Sequence, residues 1–135
     1  MISKKPLDPQ RIRKIKDSFA FIEHRFLRHG FWQDLSQHEL LLYIFLILVA
    51  DRKGLSYYSY DKICILLRIS LDEYILARNG LIEKDLIGFD GYLFQVLSLP
   101  DRPVGAGTRP IREQKEMQQK DPATINQIIK EAFSK

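Results

Sequence analysis

An unbroken apolar run, Leu40 to Ala50, constrains this chain more than any other feature: 11 residues lie between Glu39 and Asp51 with no polar break. Ser36 followed three residues later by Glu39 is a capping box, so the spacing predicts a helix over about Gln37–Asp51. That helix is apolar on every face, and no side of it can be left against water. A membrane span needs about 20 such residues, so the run reads as a buried helix. It must sit centrally, with an N-terminal helix or a partner subunit covering the face that the rest of the fold leaves open. A chain of 135 residues has room for one such core plus tails.

Upstream, Asp8-Pro9 predicts a helix start, with Asp as N-cap and Pro at the first helical position. Ile12, Ile15, Phe19, Ile22 and Phe26 then recur at spacings of 3, 4, 3 and 4, one apolar helical stripe, and Gly30 can close it. Ser18 with Phe19 and Phe21 leaves room for a break near the middle. If the helix is continuous, Arg11, Lys14, Ser18, Arg25 and Arg28 align on another face as a basic stripe.

Downstream, Leu55–Tyr58 reads as a short strand. Ser59 caps a short helix over Tyr60–Arg68 with Ile63, Leu66 and Leu67 inward. Ile69-Ser70 is a tight turn, and Ser70 with Glu73 forms a second capping box. The next helix runs from Leu71 to about Lys84 and buries Leu71, Tyr74, Ile75, Leu81 and Ile82. Asn79-Gly80 is an alternative hairpin turn, but the flanking spacings of 3 and 4 favour helix. Asp90-Gly91 between Leu86–Phe89 and Tyr92–Leu99 predicts a hairpin. Pro100 stops it, 101–122 is Pro-rich linker, and 123–135 is a short amphipathic helix or a disordered tail.

The net charge of +4 hints at an acidic partner, and its distribution sharpens the hint. Residues 1–16 carry +5, residues 17–99 carry −3, and residues 100–135 carry +2. The composition, 45% hydrophobic and 28% charged, excludes wholesale disorder. The single cysteine, Cys64, excludes a disulfide framework and a CxxC zinc site. No apolar segment follows Lys4 and Lys5 as a secretion signal requires, so a cytoplasmic protein is expected.

Helix, strand, helix, tight turn, helix and hairpin is the layout of a winged helix-turn-helix. Leu55-Ser-Tyr-Tyr-Ser-Tyr-Asp-Lys-Ile, Leu67-Arg-Ile-Ser and Ala77-Arg-Asn-Gly-Leu-Ile-Glu-Lys-Asp-Leu-Ile-Gly-Phe-Asp-Gly resemble that family. The stretch through Phe94-Gln-Val-Leu is similar to winged-helix domains of bacterial replication initiators, DnaD-like primosome proteins and small proteins of plasmids and transposons. Ser18-Phe-Ala-Phe-Ile-Glu-His-Arg-Phe-Leu and Leu41-Leu-Tyr-Ile-Phe-Leu look closest to the last group. The resemblance covers roughly 18–100. It implies a mainly α (α+β) fold: a basic arm or helix start at 1–16, and a winged-helix domain at 17–100 with an extra N-terminal helix and a C-terminal β-hairpin wing.

The family places the helix after the turn, here Leu71–Lys84, in the major groove. Its expected outward residues are Asp72, Glu73, Leu76, Asn79, Gly80 and Glu83. Only Asn79 is a common base reader, and the carboxylates repel phosphate. Arg78 is either a DNA contact or a cap on an acidic neighbour within the fold. The wing has no Lys or Arg from Leu86 to Pro100, so it is expected merely to close the hairpin. Lys4, Lys5, Arg11, Arg13, Lys14 and Lys16 are the better candidates, against the ordinary alternative of a solvated terminus. Arg25, Arg28, Arg78 and Asn79 complete the DNA-binding set.

His24, His29 and His38 are not at metal-pair spacing, Cys64 reads as a small core residue, and Gly105-Ala-Gly107-Thr108 lacks the Lys of a phosphate loop. No catalytic arrangement, cofactor or metal is expected. Two functions stand: a duplex-DNA-binding protein in replication or regulation of a bacterial mobile element, and a protein-assembly module of the same fold. A homodimer through the N-terminal helix and the Leu40–Val49 helix is compatible with both.

Overall fold

The computed structural model describes residues 4–104 and 121–133. Among the described residues it is a mixed α+β fold, mainly helical, with five α-helices and one three-stranded antiparallel sheet. In chain order the elements are α1 (Arg25–Arg28), α2 (Gln37–Val49), β1 (Leu55–Tyr57), α3 (Tyr60–Leu67), α4 (Leu71–Glu83), β2 (Ile87–Phe89), β3 (Leu93–Val96) and α5 (Pro122–Phe133).

Both capping boxes form. Ser36 Oγ accepts from the Glu39 amide while the Glu39 carboxylate accepts from the Ser36 amide, and Ser70 and Glu73 do the same for α4. These caps satisfy amides that a helix start otherwise leaves unpaired. Helix α2 packs against α4 and β3, with Leu42 and Leu46 wholly buried and Tyr43 and Ile47 beside them. Ile63 of α3, Tyr74, Ile75, Leu81 and Ile82 of α4, and Ile87 and Phe94 of the hairpin complete the core.

In the sheet β3 is central, in the order β1-β3-β2, with Ser56 opposite Phe94 and Phe89 also opposite Phe94. The chain reaches β1 through Gly54 at φ +83, where a Cβ would come within 2.5 Å of the Val96 carbonyl oxygen. Only glycine fits both that left-handed backbone and that approach. The Asp90-Gly91 turn closes β2 onto β3 as expected, although β3 starts at Leu93 and leaves Tyr92 exposed in the turn.

Four sequence expectations need correcting. The long N-terminal helix is absent: Pro9–Arg11 is a single 3-10 turn, and regular helix begins only at Arg25. Ile12, Ile15, Phe19 and Ile22 have nothing in the domain to bury against, and an isolated helix of that length gains too little to form in water. Among the described residues burial begins at Arg25 and Phe26. Leu66 is exposed, because α3 is only two turns long and turns Ile63 inward instead. Gly80 faces inward: a Cβ there would overlap the Glu39 carboxylate. The predicted linker lies largely outside the described residues, as does Gly105–Thr108, and the terminal helix begins one residue earlier than expected, at Pro122.

The Gly80 contact gives a prediction whose sign runs against helix propensity. Gly-to-Ala inside a helix normally gains about 1 kcal/mol. Here Glu39 cannot move freely, since its Oε1 accepts from the Ser36 amide and from Lys84 Nζ, both at 2.8 Å. Displacing it costs a cap and a largely buried ion pair, so Gly80→Ala is expected to destabilise by about 1–2 kcal/mol net. A chemical-denaturation midpoint equal to or above that of the parent would show that Glu39 yields without loss.

Acid sensitivity follows from the turn carboxylates. Asp51 accepts from the Leu55 and Lys53 amides, Glu73 from Ser70, and Asp90 from Leu93 and Tyr92, and these bonds hold all three carboxyls below their usual range. The folded chain then binds fewer protons than the unfolded one. Their stabilisation is present above the ordinary carboxylate range and is lost as pH falls through the lowered values. The urea midpoint is expected to drop between about pH 4 and pH 3.

Candidate nucleic-acid interface

Lys4, Lys5, Arg11, Arg13, Lys14 and Lys16 are all exposed, on a segment that runs exposed without interruption from Lys4 to His24. The Asp8 carboxylate caps the one turn in it, accepting from the Gln10 amide at 3.1 Å. Beyond that turn the cations lie along an irregular chain, so the basic stripe of a continuous helix is not formed. What the arm offers is an exposed, extended array of positive charge suited to a phosphate row.

Arg25 has a different task. Its Nη1 and Nη2 donate to the Pro100 and Leu99 carbonyls, both at 2.7 Å, and its Nε donates to Glu23 at 2.8 Å. The guanidinium also lies 5.7 Å from the centre of the Phe31 ring. Three of its five N–H donors, one on each nitrogen, are committed, so Arg25 fastens the root of the arm to the end of the sheet. Arg28 remains exposed.

Arg78 and Asn79 are also corrected. Arg78 is fully buried and ion-paired with Asp121, the residue that caps α5. Its Nη2 donates to Thr124 Oγ1 and to Asn79 Oδ1, and its Nε donates to Asn79 Oδ1 as well. The rings of Tyr74 and Phe89 lie 5.4 and 5.1 Å from the guanidinium carbon. Of the two roles open to Arg78, the structure gives it the internal one, with the acidic partner 43 positions downstream. Helix α5 packs against α4, and Gln127 donates to Asp72 while Asn126 donates to the Tyr60 hydroxyl. Arg78 is thus engaged by Asp121 and Thr124 at the start of α5, Asn79 accepts from Arg78, and the exposed remainder of α4 centres on Leu76.

The docking of α5 was the feature that pattern reading missed. A signal existed: Asp121-Pro122 repeats the Asp8-Pro9 start, and Asp121 accepts from the Ala123 and Thr124 amides at 3.2 Å. A second missed feature is an aromatic cleft of about 390 Å³ between α3 and the hairpin, walled by Tyr57, Tyr58, Tyr60, Phe89 and Tyr92 with Lys62 at its edge. Burial raises the Tyr74 phenol at its floor to about 12, so that group stays protonated.

Burial, then the field of Asp61, pushes the Cys64 thiol up and away from a reactive thiolate. His24 and His29 are exposed, and His38 meets Glu73 at 3.2 Å. Among the described residues no group of three metal-ligating side chains occurs, and no helix is long and apolar enough to cross a membrane.

Comparisons with protein-family models, with curated proteins and with solved structures returned no match.

Proposed function

We propose that the chain is a cytoplasmic winged-helix protein that binds duplex DNA through its phosphates, serving the replication or regulation of a bacterial mobile element. The observation that carries the reading is the separation of charge. Six exposed cations sit on residues 1–16, which carry +5, in an arm of net +3 over residues 1–24 that Arg25 holds to a domain whose residues 25–99 carry −1, 8 basic against 9 acidic. Positive charge concentrated on an exposed segment beside a body without excess positive charge is suited to electrostatic capture of a polyanion. The order of elements and the β1-β3-β2 sheet agree with the winged-helix layout that the sequence resembles. With Arg78 and Asn79 engaged inside the fold, binding is sequence-independent.

A second reading, a protein-assembly module of the same fold, draws on one observation: α5 packs on the helix that would otherwise enter the groove. Fluorescence anisotropy with mixed-sequence duplex at two salt concentrations, for the full chain and for a chain lacking residues 1–16, separates the two. Absence of binding at low salt by the full chain removes the DNA reading and leaves assembly.

A further inference from the structure

Two of the apolar surfaces left exposed among the described residues match each other. One is the arm, where Ile12, Ile15, Phe19 and Ile22 are 55, 69, 68 and 42% exposed at spacings of 3, 4 and 3. The other is the outer side of α2, where Leu41, Ile44, Phe45 and Leu48 recur at i, i+3, i+4 and i+7. Leu48 there is 67% exposed and Leu41 41%, with Ile44 and Phe45 half-buried between them. Each is an apolar stripe of the width that one helix presents to another. Coiled as a helix, Ile12–Ile22 would be about 16 Å long, enough to cover the roughly 11 Å from Leu41 to Leu48.

We infer that the arm of one copy folds as a helix onto the α2 stripe of a second copy, with the exchange made reciprocally in a two-fold dimer. The arm cannot easily do this within its own chain. It leaves the domain at Phe26, whose ring stacks on Tyr43 at 5.1 Å between centres. At 100° per residue Tyr43 points about 150° away from the centre of the Leu41–Leu48 stripe, on the buried side of α2. A straight helix continuing upstream from Phe26 therefore starts on the wrong side of its own α2.

Charge does not oppose this arrangement, since an arm of net +3 over residues 1–24 is brought against a domain of −1 over residues 25–99 in the other copy. A symmetric exchange makes the contact twice from one sequence. Docking also gives the arm the surface whose absence keeps it unfolded. A seated arm would turn Arg13 and Lys14 to a face apart from the apolar stripe. This last consequence rests on the phosphate-binding reading; the dimer does not.

Light scattering after size exclusion, without DNA, is the test, using the full chain, Phe19→Asp and Leu48→Asp. Both sites are exposed, so both variants fold. The full chain is expected at twice the monomer mass, with helical circular dichroism rising on association by about ten residues' worth; both variants are expected at the monomer mass without that gain. A full chain monomeric at every concentration overturns the inference, and so does a Phe19→Asp chain that remains dimeric. Because no DNA is present, these outcomes leave the phosphate-binding reading untouched, and failure of DNA binding by an intact dimer leaves this one standing.

Discussion

Arg78→Met is expected to cost about 3–5 kcal/mol of folding stability, read as a lowered denaturation midpoint at unchanged slope. The substitution keeps most of the side-chain volume between Tyr74 and Phe89 but leaves the Asp121 carboxylate buried without its counter-charge. Asp121 would then keep only the Thr124 hydroxyl and the first amides of α5. Removing one partner of a buried pair costs far more than the pair contributes over an apolar replacement, because the surviving ion has lost water as well. The double variant Arg78→Met, Asp121→Leu is therefore expected to recover much of the loss, short of about 1 kcal/mol for the α5 cap. Strongly non-additive single and double effects would establish the coupling. A cost below about 1 kcal/mol for Arg78→Met would mean that α5 does not hold α4 in solution.

The same pair shows where pattern reading reaches and where it stops. Both capping boxes, the Asp90-Gly91 turn and the burial of Tyr74, Ile75, Leu81 and Ile82 follow from local rules, because cap, period and turn are each decided within a few residues, whereas the all-round apolar α2 does not tell which side, here that of Leu41 and Leu48, stays exposed. Arg78 is different. Nothing within four positions distinguishes an arginine that faces DNA from one buried on Asp121, since the decisive partner is 43 residues away in the chain. The neighbouring Gly80 was misplaced for a related reason. Helical spacing gives a face, while the direction of that face depends on where Glu39 of α2 arrives.

The N-terminal segment shows the converse failure. Its 3-4-3-4 spacing is a true helical signal, yet the described chain gives those side chains no surface, and periodicity without a partner does not hold a helix in water. Its Asp8-Pro9 start does form, as one 3-10 turn that ends at Arg11. Local capping starts a turn, and only burial extends it. The candidate DNA residues divide along the same line: the six on the arm remain exposed, as their charge density suggested, whereas Arg25 and Arg78 are claimed by carbonyls and a carboxylate that no local pattern displays.

The arm's salt dependence is the largest functional effect expected. For duplex DNA the logarithm of the binding constant falls with the logarithm of salt at about 0.9 per phosphate neutralised. Engagement of Lys4, Lys5, Arg11, Arg13, Lys14 and Lys16 together gives a slope of about −5, hence a loss of roughly 10³-fold between 50 and 200 mM salt. Converting all six to Gln is expected to abolish measurable binding at 200 mM, because residues 17–99 retain a balance of −3 and repel the duplex. Single conversions such as Lys14→Gln should each reduce the slope by about 1, with no preference among sequences. AT-rich and GC-rich duplexes are expected to bind equally, since Asn79 accepts from Arg78 inside the fold. A six-Gln chain that keeps the parent's affinity and slope would move the contact off the arm, to exposed cations such as Arg52, Lys53 and Lys62. A tenfold preference for one composition would require a base reader, and α4 would have to be freed from α5 to supply it.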